Sequence, residues 1–259
     1  MTPEPIRILH HFACTGGTLI GRIVASMPNV VLLNEIDPLS RLHLERPKQP
    51  FVPTDFIAAL RYSRRDVNDE TIASMFMAAL NVLRTELLET GRHLVLRDHT
   101  HSHFCVGADI AARPNLREIC TALDAPRSVV TVRHPLFSYV SLTERRWVHF
   151  EPKNLEEYAR RYMVFLDAYS ESPIYRYEDL VQNPQVVTRQ ICESLALPFI
   201  SSFEDTLSAF SFSGDSGRSG NHIQERPPKS VPLAIMAEAN VSQSFLQLCD
   251  RLGYSDNEI

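Results

Sequence analysis

The 259-residue chain lacks a Cys-x-x-Cys pair. Its five cysteines (Cys14, Cys105, Cys120, Cys192 and Cys249) are scattered and odd in number, which excludes a disulfide framework and a cysteine zinc site. No apolar run of membrane length stands out. The opening "MTPEPIRIL" has neither the basic start nor the long apolar core of a secretory leader. The expectation is a cytoplasmic protein with no membrane partner. Positive charge is not in excess either: 26 Lys and Arg against 31 Asp and Glu give a net charge of −5, which argues against a nonspecific grip on nucleic acid. Internal repeats are missing. What is present, 44% apolar and 22% charged residues, suits one folded unit over residues 1–259 built around one sizeable core.

Strand and helix signals alternate along that unit. Apolar strands are expected at Ile6–Leu9, in "NVVLLNEIDP" (29–38), at the start of "HLVLRDHTHSHF" (93–104), in "RSVVTVRHP" (127–135) and in "PIYRYEDL" (173–180). Between them lie helical patterns: "DETIASMFMAALNVLRTELLETG" (69–91), "LFSYVSLTERRWVHF" (136–150), "NLEEYARRYMVFLDAYS" (154–170) and "PQVVTRQICESLAL" (184–197). Helical crossovers between strands imply an α/β fold, a three-layer sandwich with a mainly parallel central sheet flanked by helices. Ligands in such folds bind at the carboxyl ends of the strands. The chemistry-bearing residues cluster there: Cys14 to Thr18, Glu35, Arg97 to His101, and Arg133. Residues 44–68, with three prolines, read as an irregular insertion on the acceptor side, and the Ser/Gly/Pro-rich stretch 211–230 reads as a mobile lid.

One more absence is chemical. In "LHHFACTGGTLIGRIVASMP" (9–28) a strand runs into small residues and then a helix, the arrangement in which unpaired helix amides cradle an anion. The lysine of a nucleotide triphosphate loop, G-x-x-x-x-G-K-[ST], is not in it. Further on, Arg133 ends a strand and Ser138 and Ser141 fall in the first turns of the next helix. A guanidinium, hydroxyls and helix amides would there converge on a phosphate monoester.

Four segments in order, "HFACTGGT", "VVTVRHPLFSYVS", "YRYEDLVQNP" with "ICESLALPF", and "SGRSG", resemble the sulfotransferases that use 3′-phosphoadenosine 5′-phosphosulfate (PAPS), in particular their bacterial branch acting on small molecules or carbohydrates. The resemblance implies a P-loop-like fold and transfer of a sulfuryl group to a hydroxyl or amine, with 3′-phosphoadenosine 5′-phosphate (PAP) as product and no metal. It puts Cys14, Thr15, Gly16, Gly17 and Thr18 around the 5′-phosphosulfate, Arg133 and Ser141 at the 3′-phosphate, and Arg218, Ser219 and Gly220 closing over that phosphate. Cys14 stands where the family carries lysine, so another cation is needed near the leaving group, and Arg97 is the candidate. "LVLRDHTH" matches the family's K-T-H run and makes His99 the catalytic base; Glu35 is the rival base, disfavoured by the cost of a carboxylate near a dianion.

Plainer readings stand beside these. The alternating His99, His101 and His103 would share a strand face and could form an H-x-H metal site, although no distal cluster completes it. Tyr175 and Tyr177 read as core, with Glu178 and Asp179 capping a turn. Two other functions stay open: a P-loop kinase or nucleotide-binding protein, against which the missing lysine argues, and a catalytically weakened PAP(S)-binding relative, which Cys14 keeps in view.

Overall fold

The computed structural model describes residues 4–40, 42, 57, 60, 67–210, 223–225 and 230–254. The expected insertion (44–68) and lid (211–230) lie largely outside the described residues, and Arg218, Ser219 and Gly220 wholly so.

Strands β1 (Arg7–His11), β2 (Val30–Ile36), β3 (His93–Asp98), β4 (Arg127–Val132) and β5 (Ile174–Arg176) form one sheet in the order β2-β3-β1-β4-β5. Every pairing is parallel. Alternate residues sort onto the two faces. Leu9, Val95 and Val129 pack with helix α1 (Gly17–Ala25) and with Val187 and Ile191 further along the chain, while Ile8, Leu94 and Leu96 pack under the long helix α2 (Asp69–Glu89). Both faces are covered, which is why these strands read as almost unbroken apolar runs.

Helix α2 corrects one expectation. With 21 residues and a mean hydropathy of 1.2, it is long and apolar enough by length and composition to cross a membrane. Its Ile72, Met77, Leu80 and Leu87 are buried in the core layer beside the sheet, and Asn68 caps its first turn.

The remaining elements are α3 (Thr100–Phe104), α4 (Leu116–Thr121), α5 (Pro135–Glu144), α6 (Leu155–Ala168), α7 (Tyr177–Gln182), α8 (Pro184–Ser194), α9 (Phe203–Thr206), α10 (Leu233–Val241) and α11 (Gln243–Leu252). Three departures from the sequence reading follow. The strand through 93–104 stops at Asp98 and gives way to α3, so His99, His101 and His103 do not share a strand face. The helix expected over 136–150 ends at Glu144, because Arg146 takes a left-handed conformation (φ +58°) and turns Trp147 to Phe150 out of the helical path. The strand expected over 173–180 spans three residues before Tyr177 opens α7.

Side chains lock the strands together. Buried Asp98 accepts from Tyr169 Oη at 3.0 Å and lies 2.7 Å from His10 Nδ1, and the His10 ring stacks on Tyr169 with centroids 3.9 Å apart. One carboxylate thus ties β1, β3 and the end of α6 beneath the strand termini. A buried acceptor with two donors is satisfied and geometrically fixed.

Candidate functional site at the carboxyl ends of the strands

The loop after β1 is shaped by its small residues. Gly16 has φ +91°, a conformation that costs glycine nothing, and a β-carbon there would overlap the Tyr177 ring. A β-carbon on Gly17 would overlap the ring of His11, with Nδ1 2.5 Å away. Both glycines are therefore required by close approach. Thr15 donates through N and Oγ to the Phe12 carbonyl at 3.3 and 2.8 Å, closing a tight turn that delivers the chain into α1. Gly16 caps that helix without a side-chain hydrogen bond, and the positive end of the helix dipole lies at this turn. Cys14, also left-handed (φ +62°), rests partly buried against the aromatic core.

On the β2 side the geometry depends on a bulge. β2 and β3 pair at Leu33↔Leu96 and again at Ile36↔Asp98, so Asn34 and Glu35 both lie opposite the single residue Arg97. Two residues against one bend the strand and re-aim its side chains. Glu35 takes φ +55°, and both side chains turn onto Arg97: Asn34 Oδ1 and Glu35 Oε1 accept from the same Nη1, the latter at 2.6 Å. The other carboxylate oxygen, Oε2, lies 3.4 Å from His99 Nε2. The His99 amide donates to the Ile36 carbonyl at 3.0 Å. Asp37 anchors the corner through two bonds from Arg113, 2.8 and 2.6 Å, and one from Ser102.

Glu35, Arg97 and His99 thus form one cluster, and the two rival bases are neighbours. Arg97 is almost wholly buried, which lowers its pKa, while Glu35 pulls the other way. Its Nη1 is matched by that carboxylate, while Nε is buried without a hydrogen-bond partner. Between cluster and loop sits His11. Burial holds its pKa well below the usual histidine value, with the Arg97 charge adding to the effect, so the ring is neutral. Nδ1 lies 3.3 Å from the Phe12 carbonyl, and Nε2 is buried without a hydrogen-bond partner.

On the β4 side, Arg133 follows the strand and its guanidinium carbon sits 5.0 Å above the Tyr177 ring, the ring that also abuts Gly16. Tyr177 is half-buried, and it brings Arg133 to the loop. Read from sequence as core, it packs partly on the core and partly forms a platform at the site. The signal for it was its place at a strand end. Ser141 Oγ donates to the Phe137 carbonyl at 2.8 Å within α5, and Ser138 is fully buried. His134 Nδ1 accepts from Leu136 N at 3.2 Å, and the His134 amide donates to Glu178 at 3.0 Å. Burial, with the Arg176 and Arg133 charges, lowers the His134 pKa to about 4. No group of three or more His, Cys, Asp or Glu among the described residues could hold a metal ion.

The model of the sulfotransferase family matches residues 12–201. Among solved structures, the sulfotransferase domain of the olefin synthase from Synechococcus PCC 7002 aligns with a TM-score of 0.52 at 18% identity, covering 98% of this chain and 96% of that one. The sulfotransferase domain of the curacin biosynthetic pathway aligns at 0.48 and 19% identity, covering 98% and 99%. A sulfotransferase from Alicyclobacillus acidocaldarius aligns at 0.39 and 15%, covering 79% and 90%. No curated protein matches the sequence.

Proposed function

The chain belongs to the sulfotransferase family, and from that premise we propose that it moves a sulfuryl group from PAPS to a hydroxyl of a small acceptor, in the cytoplasm and without a metal. The loop Cys14 to Thr18 receives the phosphosulfate end through the first amides of α1, and Arg133 on its Tyr177 platform receives the 3′-phosphate. The tight glycine turn supports the fit: with Tyr177 and His11 packed against Gly16 and Gly17, the chain enters α1 with the positive end of the helix facing the turn.

The acceptor oxygen forms a bond to sulfur as the bond from sulfur to the bridging phosphate oxygen breaks. That electron pair leaves with the phosphate. The acceptor proton passes to His99, whose Nε2 faces Glu35 and whose Nδ1 remains to take it. Glu35, itself fixed by Arg97, orients the ring and balances the imidazolium that forms, so His99 is the base and Glu35 its partner. With Arg97 paired and no cation available from Cys14, the leaving phosphate is met chiefly by preorganised amides.

The observation that carries this reading is the Glu35–Arg97–His99 cluster beside a lysine-free anion turn. The test is a thermal shift with PAP against ATP plus magnesium, followed by turnover of PAPS. PAP is expected to stabilise the protein, and His99→Ala to keep that shift while losing turnover. Preferential stabilisation by ATP would sink the proposal.

A further inference from the structure

Outward from His99 the site continues as a line of rings. The His101 ring lies 6.5 Å from that of His99 and inclined by only 24°. His149 meets His101 edge-on at 5.3 Å, and Trp147 does so at 6.4 Å. Trp147 is the chain's single tryptophan. It is 36% exposed, and the Arg145 guanidinium carbon stands 5.0 Å from its ring centre. At the outer end of the line, the indole therefore keeps part of its surface open to a ligand.

The fold also holds this line rigid. A bridge pairs Val106 with His149, joining the segment after α3, which carries His101, to the segment after α5, which carries Trp147. Arg161, 1% exposed, fastens the same region from beneath. It donates to the carbonyls of Phe104 and Gly107 at 2.9 and 2.7 Å, pairs with Glu157 at 2.7 Å, and sits 5.0 Å from the Phe150 ring centre. A buried, fully engaged arginine under a surface row of rings leaves that row little freedom, so a ligand laid on it costs little ordering.

Resting on the donor reading above, we propose that this shelf selects the acceptor: an aryl alcohol with two fused or linked rings, whose hydroxyl reaches the Glu35–His99 pair while its plane lies along His101 toward Trp147. One benzene ring covers the step from His99 to His101, and a second is needed to reach the indole. A polyol would call for carboxylates or carboxamides along the shelf; those nearby, Asn34, Glu35 and Asp37, are engaged at its inner corner with Arg97, Arg113 and Ser102. Residues 99–101 and 145–150 supply imidazoles, an indole and guanidinium groups instead. Ring faces and edges at these spacings favour another flat aromatic.

The test is calorimetric titration of PAP-saturated protein with 2-naphthol, 1-octanol and methyl glucoside. The expected order is 2-naphthol tightest, with Trp147→Ala weakening its binding about tenfold, Trp147→Phe recovering most of that loss, and 1-octanol affected far less. Trp147 lies at the surface, so the variants should fold, and thermal melting checks that they do. Comparable affinity for the three ligands, or a Trp147→Ala change within about twofold, overturns the shelf. The donor reading fails separately, through absence of a PAP-induced thermal shift. In that event the same titration on the protein alone still decides whether naphthol lies on Trp147.

Discussion

Removing the Glu35 carboxylate should both loosen the β2–β3 corner and stop turnover, and the two effects can be separated. Arg97 Nη1 stands 2.6 Å from Glu35 Oε1, with the side chains 3% and 22% exposed. At an effective dielectric of about 20, two unit charges at that separation attract by about 6 kcal/mol. Much of this is offset by the cost of holding the guanidinium away from water, and Asn34 remains as a partner. Breaking a buried pair from one side costs about 3–5 kcal/mol. Because Glu35 is partly exposed, Glu35→Ala should cost somewhat less, about 2–3 kcal/mol, in urea unfolding. A cycle with Arg97→Met and the double variant should return about 2 kcal/mol of coupling. Glu35→Gln keeps an acceptor for Arg97 but no charge to balance a protonated His99. It should lose less stability than Glu35→Ala, about 1–2 kcal/mol, while kcat falls at least about a hundredfold. Additive single variants, or parental kcat in Glu35→Gln, would refute the idea that this carboxylate both fixes the bulge and supports the base.

Three further predictions follow from other parts of the site. Arg133→Ala should weaken PAP binding by about tenfold to a hundredfold, as expected for loss of a charge-assisted bond, and leave adenosine 5′-phosphosulfate nearly unaffected; equal losses would show a structural role. Gly17→Ala drives a methyl group into the His11 ring and should cost about 1–3 kcal/mol with loss of the PAP-induced thermal shift, whereas an unchanged melting curve would mean that the ring swings aside freely. The third concerns acid. His134 titrates at about 4 in the fold against about 6.5 unfolded. The unfolded state therefore binds the extra proton first, and stability that is intact above pH 6.5 is lost as pH falls toward 4, by about 3 kcal/mol at most. His11, shifted in the same direction, adds to that slope. Denaturant titrations from pH 7 to pH 4 should show the decline, and His134→Asn should flatten part of it; an unchanged slope in that variant assigns the acid sensitivity elsewhere.

The parallel sheet and the tight turn after β1 were readable from the chain because both rest on local signals: unbroken apolar runs separated by helical periods, and small residues between a strand and a helix. Residue identity alone marked Arg97, His99, Glu35 and Arg133 as strand-end groups. Their relations were not readable. Whether Glu35 and His99 compete or cooperate depends on a bulge that sets Asn34 and Glu35 against one arginine, and a bulge is a matter of register between strands some sixty positions apart. Tyr177 becomes a platform because Gly16 and Arg133 approach it from two other segments, which no spacing along the chain records. The ring shelf is further from view still. It exists because α3 replaces the expected strand end and Arg146 breaks the expected helix, so that His101, Trp147 and His149 meet over a buried arginine. Backbone propensity and apolar period act within a few residues and can be read one after another. The meeting of side chains from distant strands is decided only when the whole core closes.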